Sequence, residues 1–301
     1  MINQIQIGST SAAVIKDSTQ AGMPNSRLIT LELEAPRFLL AQINTHRQLA
    51  KNASSSRAIS LVALIEQPVF VPRRVGKNKA GMQAETYLEG AELEAFQQDW
   101  LKLRQQAVDG ILHMSERYGV HKQTLGRLLE PFIYYKGVVT GTLASWQHLL
   151  SLRLDSAAQP EFQELAQCIQ EAIAASTPQV LQQDEWHLPY IDAVVAGEDD
   201  VNIKISASCI AQVSYRKLND TPEKALAIFD KLGVFGDKPH ISPFQHIAQA
   251  QDDMAVDDAV YDFYLNDGKK YYAEFGDCWV QCSKFVENIG KLSLNVDEFL
   301  N

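Results

Sequence analysis

The chain of 301 residues is poor in cysteine, in long apolar runs and in basic charge, and each shortage excludes a class of protein. Four cysteines (Cys168, Cys209, Cys278 and Cys282) are too few for a disulfide scaffold, so we expect reduced thiols and a cytoplasmic location. No run of about 18 apolar residues is present, and the first residues lack a signal-peptide pattern, so we expect no membrane partner. The net charge of −10 argues against nucleic acid as a partner.

Several motifs of common enzymes are also missing. No P-loop and no Gly-x-Gly-x-x-Gly after a strand is present, which argues against NTP hydrolysis and a Rossmann cofactor site. No His-Glu-x-x-His or Cys-x-x-Cys marks zinc, and the spacing of Cys278 and Cys282 alone is a poor metal signal. We therefore predict no metal site.

The most informative stretch that is present runs from residue 42 to residue 57, Gln-Ile-Asn-Thr-His-Arg-Gln-Leu-Ala-Lys-Asn-Ala-Ser-Ser-Ser-Arg. Its three serines, Ser54 to Ser56, and Arg57 offer hydroxyls, free backbone amides and a guanidinium, which together suit an oxyanion. The alternative is a polar surface turn, because serine clusters between apolar runs are usually loops.

Arg153 adds to this anion-binding potential. It falls on the same helical face as Trp146 and Leu149, and an inward guanidinium is costly unless it is paired, for instance with Asp155 or Glu161, or bound to a ligand. An acidic protein with several placed arginines predicts a local site for phosphate and carbonyl oxygens, hence for a nucleotide. The residues of this predicted site are Arg47, Arg57, Arg127, Arg153, Ser55 and Ser56.

The hydrophobic pattern predicts a mixture of strands and helices. Alternation over residues 28–34 predicts a half-buried strand that ends at Pro36, followed by a short helix over residues 37–43. Longer helices are predicted over 83–118, from 159 until Pro178 ends the helix, over 222–233 and over 269–289. The turn-like acidic residues 197–200 are the predicted linker.

The pattern Gln42-x-x-x-His46-Arg47-x4-Asn52-x-x-Ser55-x-Arg57 resembles the signature of the flavin-dependent thymidylate synthases. Thr45 replaces the first Arg of that signature, and Ala53 replaces a Glu. Two further segments are similar to the family. Residues 127–131 resemble its Arg-x-x-Leu-Pro, with Glu130 in place of the Leu, and residues 150–161 resemble its Leu-x-Leu-Arg-x-Asp-x-x-Ala-Gln-x-Glu.

Two late segments resemble parts that usually open family members. Residues 207–215, which include Ser214, are similar to Ala-Ala-Arg-x-Ser-Tyr, and residues 240–246 are similar to His-x-Ser/Thr-Pro-Phe-Glu-His. Here they follow the arginine motif instead of preceding it, so we predict a circularly permuted order, which chains tolerate when their termini lie close together. A chance match is the alternative.

The resemblance implies an α+β fold with a twisted, mostly antiparallel sheet and long helices, in a single catalytic domain over residues 1–301. Within it, residues 1–185 would hold the nucleotide-binding part and core helices. Residues 200–301 would hold the flavin-contacting segments and an unassigned tail over 247–301. It also implies a homotetramer with sites shared between subunits.

The implied reaction is the reductive methylation of dUMP to dTMP, with FAD as cofactor and with NADPH and methylene-tetrahydrofolate as co-substrates. The resemblance assigns nucleotide binding to Gln42, Ser55, Ser56, Arg57, Arg127 and Arg153. It assigns flavin binding to His46, Arg47, Asn52, His240, Ser242 and Gln245, and also to Thr142, His148 and Ser214. The residues expected at the chemistry itself are Arg153, Arg127, Ser55 and His240.

Three other functions stay open at this stage. A related methylase or hydroxymethylase could act on dCMP or UMP, which Thr45 and Ala53 would permit. A synthase with a cysteine nucleophile is disfavoured, because no cysteine lies in a Pro-Cys-His setting. A non-catalytic nucleotide-binding relative is the third.

Overall fold

A long hairpin forms the centre of the computed structural model, which describes residues 3–81, 84–191, 199–213, 221–231, 240–250, 275 and 278–284. The hairpin joins β2 (Thr10–Gln20) to β3 (Met23–Pro36) through Ala21 and Gly22. Gly22 has φ 77°, a conformation that glycine adopts without steric cost. The turn therefore depends on a glycine at this position.

The hairpin is extended into a larger sheet with the order β1-β2-β3-β5-β4, in which all of these neighbours are antiparallel. The added strands are β1 (Gln4–Ile7), β4 (Ala50–Ala53) and β5 (Tyr134–Thr142), and β6 (Gln179–Leu181) pairs in parallel with β2. A second sheet pairs β7 (Trp186–His187), β8 (Ala248–Ala250) and β9 (Trp279–Gln281). The predicted α+β class is confirmed.

Both faces of β3 are covered. Ile29, Leu31 and Leu33 pack against the helices α5 (Leu143–Arg153) and α6 (Pro160–Ala174). Leu28 and Thr30, on the opposite face, are also fully buried. The prediction of a strand ending at Pro36 is confirmed, and its half-buried character holds for Glu32 and Glu34 but not for Leu28 and Thr30, which the second sheet and its neighbours cover.

Helices over the rest of the chain match the predictions unevenly. The 3₁₀ turn Arg37–Leu39 and α1 (Leu40–Ile43) form where a short helix is predicted. The remaining helices are α2 (Leu61–Ile65), α3 (Gly90–Tyr118), α4 (Lys122–Leu125), α7 (Asp199–Ala211) and α8 (Pro222–Lys231), and a 3₁₀ helix spans Gly126–Phe132.

The long helix α3 begins at Gly90, later than the predicted residue 83, and ends at Gly119 in the left-handed conformation. Ile111 of its predicted apolar stripe is buried, whereas Leu103 and Tyr118 are 54% and 64% exposed. Ile111 belongs to a core cluster with Leu64, Leu125 and Leu129, so only part of the stripe is core.

The C-terminal predictions fall partly outside the described residues. The predicted helix over 269–289 is wrong for Trp279–Gln281, which forms β9, whereas the next residues, 282–284, are helical. Of the predicted linker, residues 197 and 198 lie outside the described residues, while Asp199 and Asp200 open α7. None of the four cysteines forms a disulfide.

Within the described part of the chain, no helix is long and apolar enough to cross a bilayer. The same residues contain no cluster of His, Cys, Asp and Glu that could hold a metal ion.

Candidate functional site

A pocket of about 280 Å³ lies between helix α5 and the turn that precedes β4. Two arginines and two histidines line it, and no carboxylate does. The pocket is therefore a positive site in an acidic chain. Its lining residues are Thr45, His46, Arg47, Gln48, Leu49, Ser145, His148, Leu152 and Arg153.

Thr142 fixes helix α5 to the sheet. It is the last residue of β5 and the N-cap of α5, and its hydroxyl accepts a hydrogen bond from the Ser145 amide at 3.2 Å. Because no loop intervenes, the sheet sets where the helix starts. Ser145, His148 and Leu152 then recur at helical spacing along the face that lines the pocket. The predicted flavin residue Thr142 thus positions the pocket without lining it.

Arg153 is held by an imidazole and an aromatic ring. Its Nε donates to His46 Nε2 at 3.1 Å, and its guanidinium carbon lies 4.5 Å from the centre of the Phe162 ring. Within the described residues Arg153 forms no salt bridge, and Asp155 instead accepts from the Ala157 amide at 2.7 Å. The alternative of an ion pair with a nearby carboxylate is therefore wrong, and the outer guanidinium nitrogens are free of a carboxylate.

His46 is neutral in this arrangement. Its pKa is lowered to about 4, mainly by burial and then, in decreasing order, by the charge of Arg153, by His148 and by the charge of Lys51. Since Nε2 accepts the hydrogen bond from Arg153, the neutral ring carries its proton on Nδ1. Lys51 donates to the His46 carbonyl at 2.5 Å and fixes the backbone of the turn. A neutral His46 leaves the positive charge of the pocket on its arginines.

Arg47 stands at the mouth of the pocket. Its side chain is exposed, and so is that of Thr45, which occupies the position of the family's first Arg. Arg47 makes no salt bridge to any residue that the structure describes. The exposed guanidinium is therefore available to an anionic ligand.

The predicted serine cluster lies beyond the other end of β4. Since β4 spans Ala50–Ala53, about 16 Å of extended backbone separates the pocket residue Leu49 from Ser54. The Ser56 hydroxyl donates to Glu130 at 2.7 Å, and Glu130 lies 3.6 Å from Nε of Arg37. A carboxylate thus occupies part of the predicted oxyanion site.

The arginines around this cluster differ in exposure. Arg57 and Arg127 are exposed, whereas Arg37 is largely buried and also donates to the Ser54 carbonyl. Burial lowers the pKa of Arg37, Glu130 opposes that shift, and the charge of Arg127 adds to it. Ser55 uses its hydroxyl to accept from the Arg57 amide at 3.3 Å.

Arg37 was missed by the sequence reasoning. The signal was an arginine directly after Pro36 and before the apolar run Phe38-Leu39-Leu40, where a charge needs a partner. Next to Arg37, the hydroxyl of Tyr135 is buried and has no partner among the described residues, and burial raises its pKa.

Gln42 and Asn52 lie outside the pocket lining. Gln42 donates to Gln159 at 2.6 Å, and Gln159 donates to Glu161 at 3.0 Å, so these three residues of the two motifs form one chain. Asn52 is half-buried on β4 opposite Val138.

The late segment over residues 240–246 contacts β4, which is part of the early motif over residues 42–57. The 3₁₀ turn Ser242–His246 packs against β4, and Phe244 is buried beside Val138 of β5. His240 and Ser242 are exposed, and the Gln245 carbonyl accepts from the side chain of Gln281 at 2.9 Å. Ser214 lies outside the described residues. A permuted order requires this contact, and the permutation itself stays a prediction.

One comparison with known proteins gives a match. A family model described as thymidylate synthase complementing protein (Thy1) matches residues 25–179, which is 155 of the 301 residues. The matched range contains the turn before β4, the serine cluster, Arg127 and Arg153. No curated protein matches the chain.

Proposed function

The chain belongs to the family of flavin-dependent thymidylate synthases, and on this premise we propose that it reductively methylates dUMP to dTMP. The proposed cofactor is FAD, and the proposed co-substrates are methylene-tetrahydrofolate and NADPH. When bound, FAD would supply the hydride for the reduction.

The observation that carries the proposal is a pocket lined by two arginines and two histidines without a carboxylate. Its volume is at the small end for ligand sites, so it accepts a ring system and not a whole dinucleotide. A pyrimidine or an isoalloxazine ring, both rich in carbonyl oxygens, suits these donors. The residues present therefore fit part of the cofactor or of the nucleotide.

Arg153 has the central role in the proposed mechanism. With Nε held by His46 and its plane held over Phe162, the guanidinium keeps its terminal nitrogens for the ligand. These donors would bind a carbonyl oxygen of the pyrimidine and stabilise the enolate charge that develops as C5 attacks its carbon donor. Neutral His46 orients the guanidinium without adding repulsion.

The other predicted residues divide between the two ligands. Arg57, Ser55 and Ser56 would hold the nucleotide phosphate, with Gln42 and Arg127 beside them. His46, Arg47, Asn52, His148, His240, Ser242 and Gln245 would hold the flavin, with Thr142 and Ser214 as further candidates. Glu130 already accepts the Ser56 hydrogen bond, so a phosphate at this place must compete with a carboxylate.

A second candidate function is the same chemistry on dCMP or UMP. It is favoured by Thr45, which lines the pocket where family members carry an arginine. A non-catalytic nucleotide-binding relative is the remaining possibility. We further propose that the protein is a homotetramer, in which partner subunits complete the sites.

The test is a visible spectrum of the purified protein, followed by product analysis. We expect a flavin spectrum, or one restored by FAD, and dTMP formation from dUMP that requires methylene-tetrahydrofolate and NADPH. Faster turnover of dCMP or UMP under the same conditions would establish the second candidate. A protein that binds dUMP but neither FAD nor folate, and forms no product, would contradict both.

A further inference from the structure

A chain of five buried polar groups crosses the main sheet on the face opposite α5 and α6. Ser18 of β2 contacts His187 Nδ1 at 2.9 Å, and His187 Nε2 contacts Thr30 of β3 at 2.8 Å. Thr30 contacts Thr140 of β5 at 2.7 Å, and Thr140 contacts His246 Nδ1 at 2.8 Å. All five side chains have no exposed surface. Polar groups this deep are costly unless each hydrogen bond is made.

Both imidazoles in this chain are neutral, because burial lowers the pKa of His246 to about 3 and that of His187 well below its ordinary value. A neutral ring carries one N–H and one bare nitrogen, and each hydroxyl has one proton to donate. If every bond is made, the direction of one fixes the direction of all. This row of hydrogen-bonded side chains therefore has two states, in which every bond points in opposite directions.

In the first state Ser18 donates to His187, and the donation continues through Thr30 and Thr140 to Nδ1 of His246. His246 then carries its proton on Nε2. In the second state every bond is reversed: His246 Nδ1 donates to Thr140, and His187 Nδ1 donates to Ser18. Nε2 of His246 is then bare.

The two states differ in what they leave unpaired. His246 Nε2 is buried and has no hydrogen-bond partner in the described part of the chain, so the first state leaves one N–H unpaired. The second state leaves the same nitrogen unpaired as an acceptor and also leaves the Ser18 proton unpaired, because the described residues give Ser18 no partner except His187. The first state thus has the smaller loss.

We propose that Ser18 and His187 are positioning residues that act through Thr30 and Thr140 to hold His246 in the tautomer protonated on Nε2. The result is a buried N–H donor of fixed direction in the 3₁₀ turn that packs against β4. Ser18, His187 and His246 lie outside the matched range 25–179, whereas Thr30 and Thr140 lie inside it.

The test is the protonation of the His246 ring nitrogens, read from side-chain proton–nitrogen NMR correlation spectra of the full chain. His246→Gln assigns the signals. In the unaltered protein we expect about 90% or more of His246 to be protonated on Nε2, since one additional unpaired buried group shifts such a ratio about tenfold. A bare Nε2 in the unaltered protein overturns the proposal, whether or not any variant folds.

Ser18→Ala tests the action at a distance. Without the Ser18 hydroxyl each state leaves one N–H and one bare nitrogen unpaired, so we expect comparable populations of the two His246 tautomers. Ser26→Ala is the matched control, because Ser26 is a buried serine of the same hairpin. Its hydroxyl donates to the Met23 carbonyl at 2.7 Å and takes no part in the row of hydrogen bonds between Ser18 and His246. It should leave the His246 spectrum unchanged. Identical spectra for Ser18→Ala and the unaltered protein overturn the proposal.

Thr140→Val and Thr140→Ser separate the hydroxyl from its packing. Valine has the shape of threonine but cannot pass the hydrogen bond, so both His246 tautomers should appear. Serine keeps the hydroxyl and should restore the single tautomer. The same tautomer in both variants would show that packing alone sets it, and would overturn the proposal.

Discussion

Replacement of Arg153 by alanine should separate binding chemistry from folding. The structure gives the side chain one hydrogen bond to neutral His46 and one cation–π contact with Phe162. Each contributes about 1 kcal/mol, so the variant should lose about 2 kcal/mol of stability. A typical domain has about 5–15 kcal/mol to lose, so the protein should stay folded with Tm lower by roughly 4–8 °C.

Activity should fall although the protein stays folded. A hydrogen bond from a guanidinium to a developing enolate contributes about 1.5–3 kcal/mol, which corresponds to about a 10- to 150-fold loss of kcat/KM for dUMP. The assay is dTMP formation at subsaturating dUMP, with thermal unfolding measured on the same preparations. Arg153→Lys should recover only part of the loss, because an ammonium keeps the charge but not the planar fork.

The matched control is Arg117→Ala. Arg117 also lies over an aromatic ring, that of Tyr118, at 5.4 Å, but at the exposed end of α3. It should leave kcat/KM unchanged. Near-normal turnover by the Arg153 variant, or an equal loss in both variants, would refute the role assigned to this guanidinium.

The same substitution has an electrostatic readout. The charge of Arg153 is the second cause, after burial, of the low pKa of His46. Its removal should raise the pKa of His46 above about 4, without restoring the ordinary value, because burial persists. NMR titration of His46 measures this. An unchanged pKa would mean that the contact between the two side chains does not form.

Three further outcomes follow from the pocket, the serine cluster and the buried histidines. The free energy of unfolding should fall as pH drops from about 6.5 towards 4, because His46 and His246 bind protons in the unfolded chain but stay neutral in the folded protein. A pKa shift like that of His46 corresponds to roughly 3 kcal/mol. Urea unfolding across this pH range measures the effect. Glu130→Gln should tighten dUMP binding by about two- to five-fold at low salt, because it removes a carboxylate that competes with the phosphate. The competing interaction, a partly exposed ion pair, contributes about 0.5–1 kcal/mol. Calorimetric titration measures the dissociation constant for dUMP. Gly141→Ala should lower the free energy of unfolding by about 1–3 kcal/mol and weaken ligand binding. The new Cβ would lie 2.3 Å from Cδ2 of the pocket residue Leu49 and must displace that side chain. Unfolding and ligand binding are measured on the same preparation.

Each of these outcomes has a comparison that could contradict it. For pH, histidine-to-glutamine variants should flatten the dependence, and an unchanged slope would refute it. Glu92→Gln, which breaks the exposed pair with Lys77, should leave dUMP affinity unchanged; an equal gain in both glutamine variants would indicate a general charge effect. Gly110→Ala in α3 has no atom within 4 Å of the added Cβ and should stabilise the protein by about 0.5–1 kcal/mol, so equal losses at both glycines would refute the steric argument.

The sequence predicts local features of this molecule well. The alternation of residues 28–34 and the proline at 36 place β3, because the period of two and the loss of an amide donor are properties of the segment itself. The inward position of Arg153 also follows from helical spacing. The stretch 42–57 is less local, because it is divided between the turn before β4, the strand itself and the serine cluster after it.

Partners distant along the chain are not predictable in this way. Nothing near Arg153 identifies His46 as its acceptor, because the two are joined only when α5 packs against the turn. The burial of Leu28 and Thr30 on the second face of β3 depends on the second sheet, whose strands come from three separate parts of the chain. Glu130 was noted as a substitution, but its contacts with Ser56 and Arg37 arise from tertiary packing.

The direct passage from β5 into α5 at Thr142 has a consequence for how this protein can evolve. A helix turns by about 100° per residue, so a single residue inserted between Thr142 and Leu143 would rotate every later side chain of α5 away from its present direction. Arg153 would then lose its contacts with Phe162 and His46 at the same time. An insertion at the Thr142–Leu143 junction would therefore disrupt the pocket, so we expect sequence changes at this junction to be substitutions.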